Sequence, residues 1–205
     1  GKYLPEFRKT TVAVPDDSGG YHVVDANRSI TIRDLLTHTA GISYGTGPAS
    51  DRWEEAGITG WYFANRDEPI RDTTARLAAL PFDAHPGARW IYGYNTDILG
   101  AVIERVSGQP LDVFMRERLL EPLGMRDTHF YLPRDKVDRL TVVYSATPDG
   151  IERAPDPGHM VGQGAYLDGP RKSFSGGAGF LSTASDYGRF LQMMLNGGVL
   201  DGQRI

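Results

Sequence analysis

The chain has 205 residues, of which 40% are apolar and 23% charged, and its net charge is −4 at pH 7. This composition is ordinary for one large globular domain or one and a half smaller ones, and it argues against disorder. No basic stripe suggests nucleic acid as a partner, and no apolar run approaches the roughly 20 residues that span a bilayer. The absence of cysteine excludes disulfides, thiolate catalysis and zinc sites built on cysteine.

The two ends of the chain resemble cut ends. Residues 1–7 contain no apolar leader segment and no initiator methionine, and residues 201–205 stop without a closing element. We therefore expect a piece of a longer protein. The compartment stays open, with the cytoplasm favoured over the periplasm.

The first third of the chain predicts a short strand and one capped helix. Residues 1–28 read as loop with a short strand, because valines flank a turn at 16–20. Thr31 and Asp34 form a capping box that opens a helix, and Gly41 ends it. Residues 43–69 are long for a structureless connection, so we expect either a short helix or a functional loop there.

The middle of the chain predicts three helices. The first covers Arg71–Leu80, and the second covers Thr96–Ser107 with its apolar residues on one face. Gly108 ends that helix, and Pro110 opens the third, which stops at Pro122.

The last third predicts strands followed by a helix. Leu140–Tyr144 reads as a strand, with its turn at residues 147–150, and residues 180–182 read as another strand. A second capping box at residues 183–186 opens a helix that Gly197 ends.

Gly41 to Gly45 matches G-x-S-x-G, the nucleophile elbow of α/β-hydrolases. That elbow needs a strand before its serine and a helix after it, whereas a capped helix precedes Ser43 and Gly47-Pro48 follows it. We therefore interpret the segment as a turn at the end of a helix, in which Gly41 takes the left-handed conformation.

Several other residues have both a structural and a functional interpretation. Tyr92, just before a strongly apolar helix, could be a packed core tyrosine or could project into a cleft. Gly176 and Gly177 could border that cleft or merely permit a turn. His38 is interpreted as a hydrogen-bonding residue at a helix end. The five histidines show no paired spacing for a metal, so neither a metal nor a cofactor is expected.

A set of motifs in constant order resembles the serine β-lactamase and penicillin-binding-protein superfamily, and most closely the family VIII carboxylesterases. The segment TIRDLLTHTAG at residues 31–41 resembles its "LLTHTSGL" segment, and GGAGFLSTASD at 176–186 resembles "GGGGLVSTAxD". Between them come Pro86-Gly87, Tyr92, Leu99-Gly100, Ser107-Gly108 and residues 122–125 (PLGM). The resemblance therefore extends over nearly the whole chain.

The resemblance implies an α/β protein of the α+β type with a β-lactamase-like fold. Residues 1–30 would connect from an N-terminal part, residues 31–139 would form a mainly helical subdomain, and residues 140–205 would form part of the α/β domain with its C-terminal helix. The antiparallel sheet would be completed by sequence outside the chain, so we expect self-association through the surfaces left exposed.

The resemblance also implies an acyl-enzyme mechanism. The superfamily uses the serine and lysine of S-x-x-K and the tyrosine of Y-x-N, and Tyr92 matches that tyrosine, which implies a general base. Free tyrosine has a pKa near 10, so such a base needs a cationic neighbour. Tyr94, Asn95, Gly176 and Gly177 would contact substrate.

The chain departs from the superfamily pattern in three places. It contains no S-x-x-K and no K-T-G or W/H-G-G, so the nucleophile and the oxyanion hole would lie outside it. Tyr94 replaces the asparagine of Y-x-N, which disfavours a β-lactamase. We expect a carboxylesterase acting on a small-molecule ester or amide, inactive as this chain alone. The alternatives are a β-lactamase, D-amino acid peptidase or acyltransferase, and a non-catalytic homologue that binds peptides or cell-wall fragments.

Overall fold

A computed structural model describes residues 1–156 and 162–205 and divides the chain into two compact units. Unit 1 comprises Gly1–Trp61, Glu68–Gly108 and Ser175–Ala178, and unit 2 comprises Tyr62–Asp67, Gln109–Phe174 and Gly179–Ile205. Among the described residues, no helix combines the length and apolar character that crossing a bilayer requires. The predicted domain boundaries at residues 30 and 139 remain a prediction.

Unit 1 contains a three-stranded sheet with the order β2-β1-β3. Strands β1 (Thr11–Pro15) and β2 (Tyr21–Asp25) form an antiparallel hairpin where the sequence predicted loop with one short strand, and β3 (Pro81–Phe82) pairs in parallel with β1. The Asp16 carboxylate closes the hairpin turn by accepting the backbone N–H of Gly20 at 3.1 Å. An aspartate that bonds its own turn backbone explains why the chain reverses here.

Unit 1 also contains four helices, of which α4 packs against α1 and α3. The predicted capping box of α1 is present: Asp34 N–H donates to the Thr31 hydroxyl at 3.2 Å, and Thr31 N–H donates to the Asp34 carboxylate at 2.8 Å. The helices are α1 (Ile32–Leu36), α2 (Ser50–Glu55), α3 (Ile70–Leu77) and α4 (Asn95–Ser107). Helix α2 shows that the long 43–69 segment contains a short helix.

The core of unit 1 is built around a pair of stacked aromatic rings. Trp53 and Tyr94 lie parallel within 3°, with ring centroids 5.9 Å apart. The Trp53 indole N–H donates to the carbonyl of Pro81 at 3.0 Å, which ties α2 to the sheet. Both rings are almost fully buried, so the residues at the start of α4 are anchored in the core.

Among the residues of unit 2 that the structure describes are two α-helices and two small hairpins. Helix α5 (Leu111–Met115) continues into a π-helical turn at Arg116–Leu120, and α6 (Ala184–Leu195) begins at Thr183, whose hydroxyl accepts the Asp186 N–H at 3.2 Å. The hairpins pair β4 (Tyr144–Thr147) with β5 (Gly150–Arg153), and β6 (Val199–Leu200) with β7 (Gln203–Arg204). A buried apolar cluster comprises Leu120, Leu123, Met125, Met193 and Leu200.

Three sequence predictions in unit 2 are corrected. The strand predicted at Leu140–Tyr144 begins only at Tyr144, because the turn after Thr147 pairs Tyr144–Thr147 with the next strand. A 3₁₀ helix at Arg134–Arg139 precedes it. The strand predicted at 180–182 is a single bridge between Leu181 and His129. The second predicted capping box is only half formed. The Thr183 hydroxyl accepts the Asp186 N–H, but the Asp186 carboxylate accepts from the N–H of Asp127 and the hydroxyl of Thr128.

Candidate active site

Tyr92 lies at the surface of unit 1, in the short segment that leads into α4. Its side chain is 54% exposed, in contrast to the buried residues that follow it. Ile91, just before it, donates its N–H to the carbonyl of His38 at 2.8 Å, so the segment is fastened to the end of the α1 region. The exposure fits a projecting side chain better than a packed core tyrosine.

Three aromatic side chains surround the Tyr92 ring, and we call the four residues His38, Tyr44, Trp90 and Tyr92 the aromatic cluster. The His38 ring lies 4.8 Å from the Tyr92 ring at 31°, and the Trp90 ring lies 6.0 Å away at 23°. Tyr44 meets Tyr92 edge-on, at 5.7 Å and 79°. Offset and edge contacts of this kind are favourable for aromatic pairs, so Tyr92 is held in one orientation although it is exposed.

Tyr44 is the hydroxyl partner of Tyr92. Burial, the charge of Asp97 and a hydrogen bond with the Tyr92 side chain raise the pKa of Tyr44 well above its ordinary value. Each phenol can donate or accept, so the Tyr44 hydroxyl is the polar neighbour of the Tyr92 oxygen.

Two residues predicted to contact substrate are buried in unit 1. Tyr94 and Asn95 have no accessible surface, and the Tyr94 hydroxyl donates to the carbonyl of Gly60 at 2.6 Å. The Asn95 amide nitrogen lies 3.1 Å from Nδ1 of His38, and its two hydrogens are shared between that contact and the carbonyls of Ile42 and Ile91, at 3.3 and 3.4 Å. In the described structure both side chains support the aromatic cluster from beneath. Their role in substrate binding remains a prediction.

Gly176 and Gly177 lie against the first turn of α4. A Cβ on Gly176 would stand 2.3 Å from the carbonyl oxygen of Thr96, and one on Gly177 would stand 2.6 Å from the Asp97 carboxylate. Real Cβ atoms do not approach that closely, so glycine is required for this packing. The predicted role of these two glycines at a substrate cleft stays a prediction.

Asp97 is a buried carboxyl group at the centre of this contact. It accepts from the Ser175 hydroxyl and from the Gly177 N–H, the latter at 3.2 Å. Burial raises the pKa of Asp97 to about 6, and the two hydrogen bonds offset part of that effect. The carboxyl of Asp97 therefore joins the N-terminus of α4 to residues 175–178.

Ser43 of the G-x-S-x-G match is buried, with 3% of its surface exposed. Its oxygen accepts the N–H groups of Gly45 and Thr46 at 3.1 and 3.3 Å. Gly41 has φ +84°, in the left-handed conformation expected of a turn glycine. The segment therefore forms a turn, as the sequence context indicates.

Sequence reasoning did not identify Tyr44, Asp97 and Ser175 as part of this region. Tyr44 lies 48 positions before Tyr92, and Ser175 lies 78 positions after Asp97, so no local pattern connects them. The only sequence signal was the G-x-S-x-G match, which contains Tyr44. In residues 1–156 and 162–205, no group of three or more His, Asp or Glu side chains could hold a metal ion.

Comparison with known proteins places these features in a family context. A family model described as Beta-lactamase matches residues 1–205. The chain is 35% identical over 208 residues to Esterase EstB of Burkholderia gladioli, and the match covers 93% of the chain and 48% of EstB.

Two solved structures resemble the chain closely. EstCE1, described as a hydrolase with promiscuous acyltransferase activity, has a TM-score of 0.78 and 28% identity, over 99% of this chain and 52% of that one. Simvastatin synthase (LovD) from Aspergillus terreus has a TM-score of 0.70 and 27% identity, over 95% and 45%. The chain therefore spans about half the length of these relatives.

Proposed function

The chain belongs to the β-lactamase family, as its motifs predict, and from that premise we propose that it is part of a serine carboxylesterase in which Tyr92 is the general base. The observation that carries the proposal is the setting of Tyr92, an exposed phenol that aromatic rings hold and that lies beside the hydroxyl of Tyr44. The nucleophilic serine and its lysine would come from sequence outside these 205 residues.

The proposed reaction is acyl transfer through a covalent intermediate. The serine oxygen bonds to the ester carbonyl carbon as Tyr92 takes the serine proton, and the leaving alcohol then receives that proton. In the second half of the reaction, water attacks the acyl carbon while Tyr92 takes a proton from it. The bond from the acyl carbon to the serine oxygen breaks, and that oxygen recovers the proton. The similarity to Esterase EstB supports an ester as the substrate class.

The test is a Tyr92→Phe substitution in a full-length protein that includes the S-x-x-K segment. We expect kcat for a p-nitrophenyl ester to fall by about 10²–10⁴, with little change in KM, because the ring is kept and only the proton acceptor is lost. Tyr187→Phe is the matched control, since that tyrosine is similarly exposed at 55% and lies in unit 2. A Tyr92→Phe variant with the normal rate would end the proposal.

The chain alone is proposed to be inactive. A fluorophosphonate probe followed by peptide mapping should leave no adduct on it, because it contains no S-x-x-K and Ser43 is buried. An adduct at Ser43 would mean that the G-x-S-x-G segment supplies the nucleophile, which would contradict the proposal.

Acyltransferase activity is the second candidate, because EstCE1 is described as a hydrolase that also has this activity. The same acyl-enzyme would then be attacked by an alcohol instead of water. Adding increasing concentrations of an alcohol to the full-length protein distinguishes the two: an esterase keeps releasing free acid, whereas an acyltransferase diverts the acyl group into a new ester.

A further inference from the structure

Beneath Tyr92 lies a layer of groups to which the proposed reaction gives no role. The His38 ring lies under the Tyr92 ring, at 4.8 Å, and Asn95 lies behind His38, fully buried, with its amide nitrogen 3.1 Å from Nδ1. The layer is held by the backbone as well, because the carbonyl of His38 accepts the N–H of Ile91.

The orientation of the Asn95 amide follows from its neighbours. Its NH₂ group faces the carbonyl oxygens of Ile42 and Ile91, at 3.3 and 3.4 Å, and two carbonyls can only accept. The flipped amide would set its own oxygen against both of them. The unflipped orientation leaves the buried Oδ1 of Asn95 without a partner among the described residues, which is less costly than setting that oxygen against two carbonyl oxygens.

This orientation dictates the protonation state of His38. An NH₂ group can only donate, so Nδ1 of His38 must accept and its single proton lies on Nε2. A second proton would place an N–H against the NH₂ group. Burial independently lowers the pKa of His38 from its ordinary value.

Among the described residues, no charged group that faces His38 favours a second proton on its ring. Tyr92 and Trp90 face the His38 ring, Tyr44 reaches it only through Tyr92, and Asp34, on the preceding helix, is held by Arg28 at 2.7 Å. Within the described part of the chain, burial is the resolved cause of the shift in the pKa of His38.

We propose that Asn95 is a positioning residue that holds His38 neutral, in the Nε2–H tautomer, as the support on which the Tyr92 ring rests. A neutral ring fixes the direction of the phenol without adding a permanent charge at its face. A tyrosine that acts as a base needs a cation nearby, and the lysine of the S-x-x-K segment would supply it from the opposite side of the phenol. This inference rests on the proposed role of Tyr92 for its catalytic meaning, although the state of His38 can be tested without it.

The first test needs no substitution. Long-range ¹H–¹⁵N NMR of the 205-residue chain at pH 7 should give His38 an unprotonated Nδ1 and a protonated Nε2, with contacts between the His38 and Tyr92 rings. His85 serves as an internal reference, because its Nδ1 accepts the backbone N–H of Asn27 at 3.3 Å. A protonated Nδ1 on His38 in the folded chain, as the other tautomer or as imidazolium, would overturn the inference.

The second test is Asn95→Asp, which places an acceptor opposite Nδ1. We expect the proton affinity of His38 to rise by about tenfold or more, which is the usual size of an effect from one adjacent carboxylate. Asn27→Asp is the control, since it adds the same charge at an exposed position and its contact with His85 uses the backbone. Unchanged titration of His38 in a folded Asn95→Asp protein would contradict the inference.

The full-length protein separates this inference from the proposed function. There, Asn95→Asp should move the acid limb of the kcat/KM profile upward by about one pH unit, whereas Asn27→Asp should leave it in place. If Tyr92→Phe keeps the normal rate while NMR finds the Nε2–H tautomer, the proposed function fails and the inference about His38 stands. If Tyr92→Phe is inactive and His38 is protonated on Nδ1, the inference fails and the function stands.

Discussion

Asp97 gives the most direct link between the structure and a measurable property. Its carboxyl group is 2% exposed, and its folded-state pKa of about 6 compares with an ordinary value of 3.8. Near pH 4 the folded protein keeps this proton while the unfolded chain loses it. The associated stability is therefore present at low pH and is lost as the pH rises through about 6. A difference of about two pKa units corresponds to about 3 kcal/mol.

The Asp97→Asn substitution should remove this pH dependence. Both the Ser175 hydroxyl and the Gly177 N–H donate to the same carboxylate oxygen, and the amide oxygen of asparagine can accept both. The neutral side chain carries no ionisation cost at pH 7. We therefore expect the free energy of unfolding of the variant, relative to the wild type, to increase by about 2 kcal/mol between pH 4 and pH 7.

Urea unfolding at a series of pH values, followed by tryptophan fluorescence, measures this difference. Trp53, Trp61 and Trp90 all lie in unit 1, the unit that contains Asp97. Shifts from other groups, such as the lowered pKa of His38, act equally in both proteins and cancel in the comparison. A difference that stays constant within about 0.5 kcal/mol across this range would refute the reasoning.

Two further substitutions test the packing beneath the site. Gly41→Ala would place a Cβ 2.0 Å from the carbonyl oxygen of Ala84, whereas Gly57→Ala, also at positive φ, meets nothing within 4 Å. Thermal unfolding should show that Gly57→Ala lowers the free energy of unfolding by about 1–2 kcal/mol and that Gly41→Ala lowers it by about 1–3 kcal/mol more. Equal losses of stability would contradict the close approach of Gly41 to Ala84. Tyr94→Phe removes the buried hydrogen bond to Gly60 and should cost about 1–2 kcal/mol in urea unfolding, so an unchanged stability would argue against that bond.

The sequence by itself determined the local elements and the family. The capping box at Thr31 and Asp34 and the closing glycine at Gly108 rely on contacts within a few residues, so their patterns are readable in the chain. The order of the superfamily motifs selected Tyr92 from ten tyrosines, and the family match confirms the resemblance on which that choice rests.

The tertiary structure decided which side chains surround Tyr92 and which are hidden. Tyr94 and Asn95 lie within three positions of Tyr92, yet Tyr92 is half exposed and the other two are buried. Stacking on Trp53 holds the Tyr94 ring in the core, and a hydrogen bond to the distant carbonyl of Ile42 holds the Asn95 amide there. Tyr44 reaches the site from 48 positions away. Such contacts depend on how distant segments pack, and a single sequence has no local pattern that encodes them.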